Sequence, residues 1–203
     1  MAITKDYSDL YPDIYPWLPG CPPGIITSAI QRQARAFCER SEAWRQQLDS
    51  INLKDGILRY ELEPDWDAEL RRVSEVRINT EDGVDAGNVG ELIPPDQYRY
   101  EPRECELILN DGYEPREDVD KGLEVKVILV PRRLATKIDP VFLDRWQIAI
   151  IGGVMRYLAA MPGKKWSNAT LAATSNVDYI RGIADARRDL DLDGTNATLS
   201  ISA

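Results

Sequence analysis

An acidic run near the C-terminus has the residue types and spacing of a calcium ligand set. Three aspartates alternate over residues 189–193 and are followed by Gly194, as in the first half of an EF-hand loop. The twelfth position, where such a loop has a bidentate glutamate, is Ser200. The pattern therefore fits a calcium loop only in part, and a charged helix end followed by a turn is the alternative.

A second candidate is a pair of carboxylates, Asp65 and Asp67, on either side of Trp66. Glycoside hydrolases place two carboxylates around the bond that they cleave. A strand–turn junction explains the same residues, because the distance between the two carboxyl groups depends on the fold. A carboxylate hydrolase is therefore an alternative class, for which Asp65→Asn or Asp67→Asn would abolish activity.

Nucleophilic catalysis is disfavoured by composition. The chain has no histidine, which removes the usual general base at neutral pH and the commonest metal ligand. Cys21, Cys38 and Cys105 are too widely spaced for a zinc motif or a disulfide framework, and Cys38 lies at helical spacing like a core residue. Glycine-rich phosphate loops and nucleophile elbows are absent from the sequence. We predict that the protein is not an enzyme and that it uses no metal or cofactor.

Helices are predicted at both ends of the chain. Prolines between residues 7 and 24 predict an extended segment, and apolar residues three and four apart then predict an amphipathic helix over 25–48. Asp139 and Pro140 suit the start of a second helix, and Ser167 suits the cap of a third that ends near residue 190. The residues of the third helix that we predict to be buried are Leu171, Ala172, Val177, Ile180, Ile183 and Ala184.

Between these helices the hydrophobic period changes to two. Strands are predicted over residues 57–63, 73–79, 104–109 and 122–131. Short strands separated by glycine-containing turns suggest an antiparallel sandwich or barrel. The sequence therefore predicts an α+β fold with an inserted antiparallel β module, residues 51–131. A helical base is predicted from residues 1–50 and 132–193, followed by a flexible tail, residues 194–203.

The negative charge is concentrated in one part of the β module. The chain carries 25 Lys/Arg and 34 Asp/Glu, a net charge of −9, which disfavours a basic nucleic-acid-binding surface. Residues 79–122 alone contain 13 Asp/Glu and 4 Lys/Arg, which accounts for the whole net charge. Glu81, Asp82 and Asp85 are the candidate residues of this acidic loop. The loop is either a solvated surface, or one that repels phosphate or docks a basic partner.

We expect the protein to be soluble and not secreted. The longest uncharged stretch within a predicted helix, Trp146 to Met155, is far too short to cross a bilayer. The first residues lack the charged and apolar regions of a signal peptide. We therefore predict no membrane partner.

Two stretches of the chain resemble head–tail adaptor (connector) proteins of tailed bacteriophages. YPDIYPWLPGCP of residues 11–22, with the helical sequence over 25–45, is similar to the first part of these proteins. GVMRYLAAMPGKKWSN of residues 153–168, with the helix after it, is similar to their last part. The resemblance covers roughly half of the chain, whereas the β module is similar only in kind.

The resemblance implies a structural protein of the virion, located at the head–tail interface after assembly in the host bacterial cytoplasm. It implies a homo-oligomeric ring, a dodecamer, that binds the portal protein and a tail or nozzle protein. The ring would extend the channel for genome retention and ejection, and double-stranded DNA would pass without specific binding. A stand-alone β-rich module that binds a host surface or a carbohydrate is the competing class.

The second predicted helix carries more apolar surface than one small core is expected to bury. Val141, Ile148, Ile151 and Met155 lie on several of its faces. Large exposed apolar surfaces usually mark sites of protein–protein contact. The resemblance implies rings that bind the portal, and this apolar surface is compatible with it, so we expect a monomer that forms rings at high concentration or in the presence of the portal.

The C-terminal tail, residues 194–203, has the residue pattern of a short strand. Leu199 and Ile201 alternate with serines, which is typical of a strand that adds to the edge of a partner's sheet. In the adaptor proteins that the chain resembles, the C-terminus reaches up to the portal, so the resemblance implies that this tail docks there. Deleting residues 194–203 should leave the thermal stability nearly unchanged and greatly weaken binding to portal rings, as should Leu199→Asp with Ile201→Asp. Portal binding as tight as that of the full chain would show that the tail is only a frayed end.

Overall fold

The structure is a computed structural model that describes residues 5–64, 67–79 and 90–196, with side chains described as far as residue 190. It confirms the α+β class, with four α-helices and antiparallel strand pairs in these ranges. The chain forms two compact units. The helical unit is Met1–Trp44 with Val130–Ala203, and the β unit is Arg45–Leu129.

The proline-rich start of the chain is helical, so the extended segment predicted over residues 7–24 is wrong. A 3-10 turn over Tyr7–Leu10, helix α1 (Tyr11–Ile14) and a second 3-10 turn over Tyr15–Trp17 follow one another. Prolines stand in the first turn of α1 and of the second 3-10 turn, where a missing N–H costs no hydrogen bond. The apolar side chains that this segment buries completely are Leu10, Ile14 and Leu18.

Helix α2 (Pro23–Ser41) ends earlier than the predicted residue 48. Glu42 adopts a left-handed conformation with φ 56°, and its N–H donates to the Cys38 carbonyl, which closes the helix. Arg45–Gln47 then forms strand β2. The helical spacing of apolar residues in the sequence continues to residue 48 because Trp44 and Leu48 are buried, although neither belongs to the helix.

Helix α3 (Pro140–Ala159) begins where the sequence predicts. The Asp139 carboxylate accepts a hydrogen bond of 2.8 Å from the Val141 N–H, and proline occupies the first turn. Strand β1 (Lys5–Asp6) pairs antiparallel with β10 (Lys137–Ile138), which joins the start of the described chain to the residues just before α3.

Helix α4 (Ala169–Asn196) is capped by Asn168, not by Ser167 as predicted. The Asn168 Oδ1 accepts a hydrogen bond of 3.0 Å from the Leu171 N–H. The helix continues past residue 190, so residues 194–196 of the predicted tail are helical.

Aromatic side chains from three segments meet in the core of the helical unit. The ring centroid of Phe37 in α2 lies 6.2 Å from that of Phe142, 5.7 Å from that of Trp146 and 6.3 Å from that of Tyr179. Trp44 stacks on Phe142 at 5.7 Å. These rings connect α2, α3 and α4 into one core.

Glycines allow α3 and α4 to pack with their backbones close together. A Cβ on Gly182 would lie 2.2 Å from the Cβ of Ala149, and a Cβ on Gly153 would lie 2.8 Å from the Tyr179 ring. Both distances are far below van der Waals contact, so a larger residue cannot occupy either position without movement. A Cβ on Gly152 would lie 3.0 Å from the backbone carbonyl oxygen of Ser175, so this glycine lets the backbone of α4 approach α3.

The prediction for the buried side of α4 is wrong at several positions. Val177 and Ile180 are 55% and 56% exposed, and Ala184 is also exposed. The contact with α3 requires small residues on α4, so its large aliphatic residues point the other way. The residues of α4 that face the rest of the helical unit are Ser175, Tyr179, Gly182 and Ala186.

The β unit contains two antiparallel sheets within the described residues. The strands are β3 (Ile51–Leu53), β4 (Arg59–Glu61), β5 (Ala68–Ile78), β6 (Glu91–Leu92), β7 (Tyr98–Glu101), β8 (Glu106–Leu109) and β9 (Val119–Pro131). One sheet has the order β2–β9–β5–β6, with β3 also paired to β9, and the other has the order β4–β8–β7. Alternate residues of β9 from Leu123 to Leu129 are fully buried, as a period of two requires, and Ile128 and Val130 are buried as well.

The close contact of α3 with α4 can be tested by Gly182→Ala. The added methyl group would overlap Ala149, so we expect a loss of about 1–3 kcal/mol in the free energy of unfolding, measured with urea. Gly24→Ala is the matched control, because no heavy atom lies within 4 Å of its Cβ position, and it should be neutral or stabilising by up to about 1 kcal/mol. Equal stability of Gly182→Ala and the wild type would contradict this packing.

Candidate functional site

Most of the predicted site residues lie outside the part of the chain that the structure describes. Those that lie outside the described residues are Asp65, Glu81, Asp82, Asp85, Leu199 and Ile201. Asp67 is described and is exposed just before strand β5. The acidic loop and the portal-docking tail therefore stay predictions.

The cysteine thiols are in surroundings typical of packing residues. Cys38 is completely buried in α2, and this burial raises the pKa of its thiol far above the usual range. Burial also raises the pKa of Cys21. Cys105 is half-buried, and its sulfur lies 3.8 Å from the Tyr100 hydroxyl. Because the thiolate is the reactive form, Cys21 and Cys38 are poor nucleophiles in this fold.

The backbone of the acidic run does not form a calcium loop. Residues 189–196 continue α4, whereas an EF-hand needs a sharp turn at the corresponding glycine. Among the side chains that the structure describes, no group of three or more Asp, Glu, Cys or His residues is arranged to hold a metal ion. In the same part of the chain, no helix has both the length and the apolar character needed to cross a membrane.

The described part of the predicted acidic region, residues 90–122, carries most of its negative charge. Residues 90–122 contain 10 Asp/Glu and 4 Lys/Arg, counted along the sequence. Most of these carboxylates are exposed, for example at Glu114, Glu117 and Asp118. A surface of this kind repels phosphate groups and attracts basic side chains.

A cavity of about 530 Å³ lies in the β unit next to β9. Leu53 and Ile78 give it an apolar wall, and Asn79, Tyr113 and Arg116 add hydrogen-bonding groups. Its size is within the range of small-molecule sites, and its mixed lining suits a polar ligand.

An exposed apolar surface lies along α3, and we call it the α3 face. Val141 and Ile148 are 75% and 77% exposed and lie on one side of the helix, because seven residues make about two turns. Asp144 lies between them on the sequence and is exposed. Asp178 of α4 borders the face, since its Cβ lies 3.3 Å from a Cβ built on Gly152, one turn from Ile148. The prediction of surplus apolar surface is confirmed for Val141 and Ile148, whereas Ile151 is buried and Met155 is half-buried.

A second exposed apolar surface, the α4 face, comprises Val177, Ile180 and Ala184. These residues are spaced by three, four and seven, so they lie on one side of the helix. That side is roughly opposite the row that contains Tyr179 and Gly182. The exposed arginines Arg181, Arg187 and Arg188 flank the α4 face.

Polar contacts hold α4 in the orientation that separates the two faces. Arg145 of α3 forms an ion pair with Asp189 at 2.7 Å. Arg156 donates to the Asn176 side chain at 3.2 Å and lies 4.5 Å above the centre of the Tyr179 ring. In the second half of α4, close to Asp189, the Arg187 guanidinium donates to the backbone carbonyl of Arg40 in α2 at 2.6 Å.

Periodicity did not predict the α4 face, although the sequence carries a signal for it. Small residues recur on one side of α4 and branched aliphatic residues on the other, which indicates close packing on the small side. The α3 face contains the Val141 and Ile148 positions that the sequence singled out. The two faces point to different sides of the α3–α4 pair, because the Asp178 side of α4 adjoins the α3 face and the Ile180 side does not.

The chain matches no protein-family model, and no curated protein matches it. The features of the chain that bear on its function are therefore the resemblance of the two terminal stretches, the α3 and α4 faces and the acidic β unit. Surfaces of these kinds are best suited to contacts with other protein chains.

Proposed function

We propose that the protein is a head–tail adaptor ring subunit of a tailed bacteriophage. It would bind beneath the portal, extend the DNA channel and carry the surface on which a tail or nozzle protein assembles. The observation that carries this proposal is the pair of exposed apolar faces on α3 and α4. Exposed apolar residues that share one side of a helix are typical of protein–protein contact sites, and a subunit with two neighbours needs one such face for each.

The charge distribution supports the same function. DNA must slide through the channel of an adaptor, so the wall should not bind phosphates. A protein with a net charge of −9 whose acidic surplus lies in residues 79–122 meets this requirement. We infer that the acidic loop with Glu81, Asp82 and Asp85 borders the channel or a basic partner, and that the C-terminal tail reaches the portal.

The cavity of the β unit supports a second candidate, a host- or carbohydrate-binding module. Tyr113 offers an aromatic surface for stacking, and Asn79 and Arg116 offer hydrogen bonds for hydroxyl groups. The two functions predict different states in solution. A binding module needs no ring, so discrete monomers that bind in a glycan screen would favour it.

Imaging with portal rings tests the adaptor function. The purified chain, mixed with portal rings of the phage that encodes it, should form a ring stacked coaxially on the portal in negative-stain images. We expect free rings at high concentration as well, and mass measurement should give a single multiple of the monomer. The matched control is the chain lacking residues 197–203, which keeps all of α4 and should form rings with greatly weakened portal binding. A persistent monomer that never binds the portal would overturn the adaptor function.

A further inference from the structure

We propose that the α3 face of one copy packs against the α4 face of the next copy, so that a single heterologous interface joins all neighbours. This inference rests on the proposed function in one respect only, namely that copies of the chain associate. It assigns to the two faces a partner, which is a second copy, and a pairing, which is α3 to α4.

The two faces match in length and in chemistry. Val141 and Ile148 are seven residues apart on α3, and Val177 and Ala184 are seven residues apart on α4. Each pair therefore spans about 10 Å along its helix at a rise of 1.5 Å per residue. The small side chain of Ala184 leaves room for a larger side chain of the other face. Burial of branched aliphatic residues against one another is the main source of free energy at such an interface.

The flanking charges favour α3–α4 pairing over self-pairing. Asp144 and Asp178 flank the α3 face, whereas Arg181 and Arg188 flank the α4 face. Contact between two α3 faces would bring aspartates together, and contact between two α4 faces would bring arginines together. Lys5 and Asp185 form ion pairs with Asp144 and Arg188, and Arg145, which also flanks the α3 face, is paired with Asp189. These pairs leave the α3 face negative by the one carboxylate of Asp178 and the α4 face positive, so the difference is reduced but not reversed.

The pairing has a geometric consequence. Each copy uses one face for the neighbour on its left and the other face for the neighbour on its right. An interface of this heterologous kind continues until rotation brings the last copy back to the first, which yields a ring. An α3–α3 or α4–α4 contact would stop at a dimer.

A complementation experiment with two full-length variants tests the pairing. Ile148→Asp places a charge in the α3 face, and Ile180→Asp places one in the α4 face. Both positions are exposed, so folding should be unaffected, as checked by urea unfolding. Each variant alone should self-associate at least about 100-fold more weakly than the wild type, because the carboxylate would be desolvated in the interface. Leu134→Asp, at an apolar position that is 81% exposed and outside both helices, is the matched control and should behave as the wild type.

An equimolar mixture of the two variants should give a species of two copies and nothing larger by sedimentation. In that species the intact α4 face of Ile148→Asp meets the intact α3 face of Ile180→Asp, and only disabled faces remain. Dimers of either variant alone would overturn the proposal in favour of self-pairing. Rings from either variant, or a mixture that stays monomeric, would show that other surfaces join the copies. Arg181→Asp provides a second variant of the α4 face, and it should complement Ile148→Asp in the same way.

Failure of the α3–α4 pairing can be distinguished from failure of the adaptor function. A mixed dimer together with wild-type rings that ignore the portal would support the pairing and contradict the adaptor function. Portal binding by the wild type, together with rings formed by Ile148→Asp, would support the adaptor function and contradict the pairing.

Discussion

The close approach of α3 and α4 is the constraint on which the helical unit depends. Ala149 and Gly182 meet where neither helix has room for a larger side chain. Because the two backbones are so close, Tyr179 reaches over Gly153 and contacts the aromatic core around Phe37. The guanidinium carbons of Arg40 and Arg156 lie 5.9 Å and 4.5 Å from the centre of its ring, which is itself completely buried. Burial raises the pKa of Tyr179, and the two arginines act against that rise.

The same constraint explains why large aliphatic residues of α4 are exposed. A 28-residue helix that turns its small side to its neighbour must turn Val177 and Ile180 to the outside. On α3, the row that contains Ala149 and Gly152 faces α4, so Ile148 lies at the edge of the contact and stays exposed. An internal packing requirement therefore produces two external apolar faces, which the proposed association of copies would bury.

The sequence predicted those features that depend on local rules. Asp139 caps α3 as expected, and the period of two predicted the face of β9 from Leu123 to Leu129 that is buried, although Ile128 and Val130 on the other face are buried as well. Local rules did not predict those features that depend on tertiary contacts. The end of α2 depends on the left-handed conformation of Glu42 and on strand pairing of Arg45–Gln47, and residue periodicity carries no information about either.

The candidate surfaces were predicted only in part, for the same reason. Periodicity marked Val141 and Ile148 as surplus apolar residues, and both are exposed, but it placed Val177 and Ile180 in the core. A rule that large apolar residues are buried fails on α4, because glycine and alanine make the tighter contact. The acidic loop and the tail were chosen by charge and alternation, and their residues lie outside those that the structure describes.

Cross-linking between the two faces tests the central claim most directly. In a Cys105→Ser background, where the other native cysteines are buried, Ile148→Cys and Ile180→Cys would be combined in one chain and treated with a short bis-maleimide. The account predicts a covalent ladder of chain multiples up to the full ring from the double variant, and no cross-linked product from either single variant. A dimer from one single variant alone, or no ladder from the double variant under conditions where rings form, would contradict it.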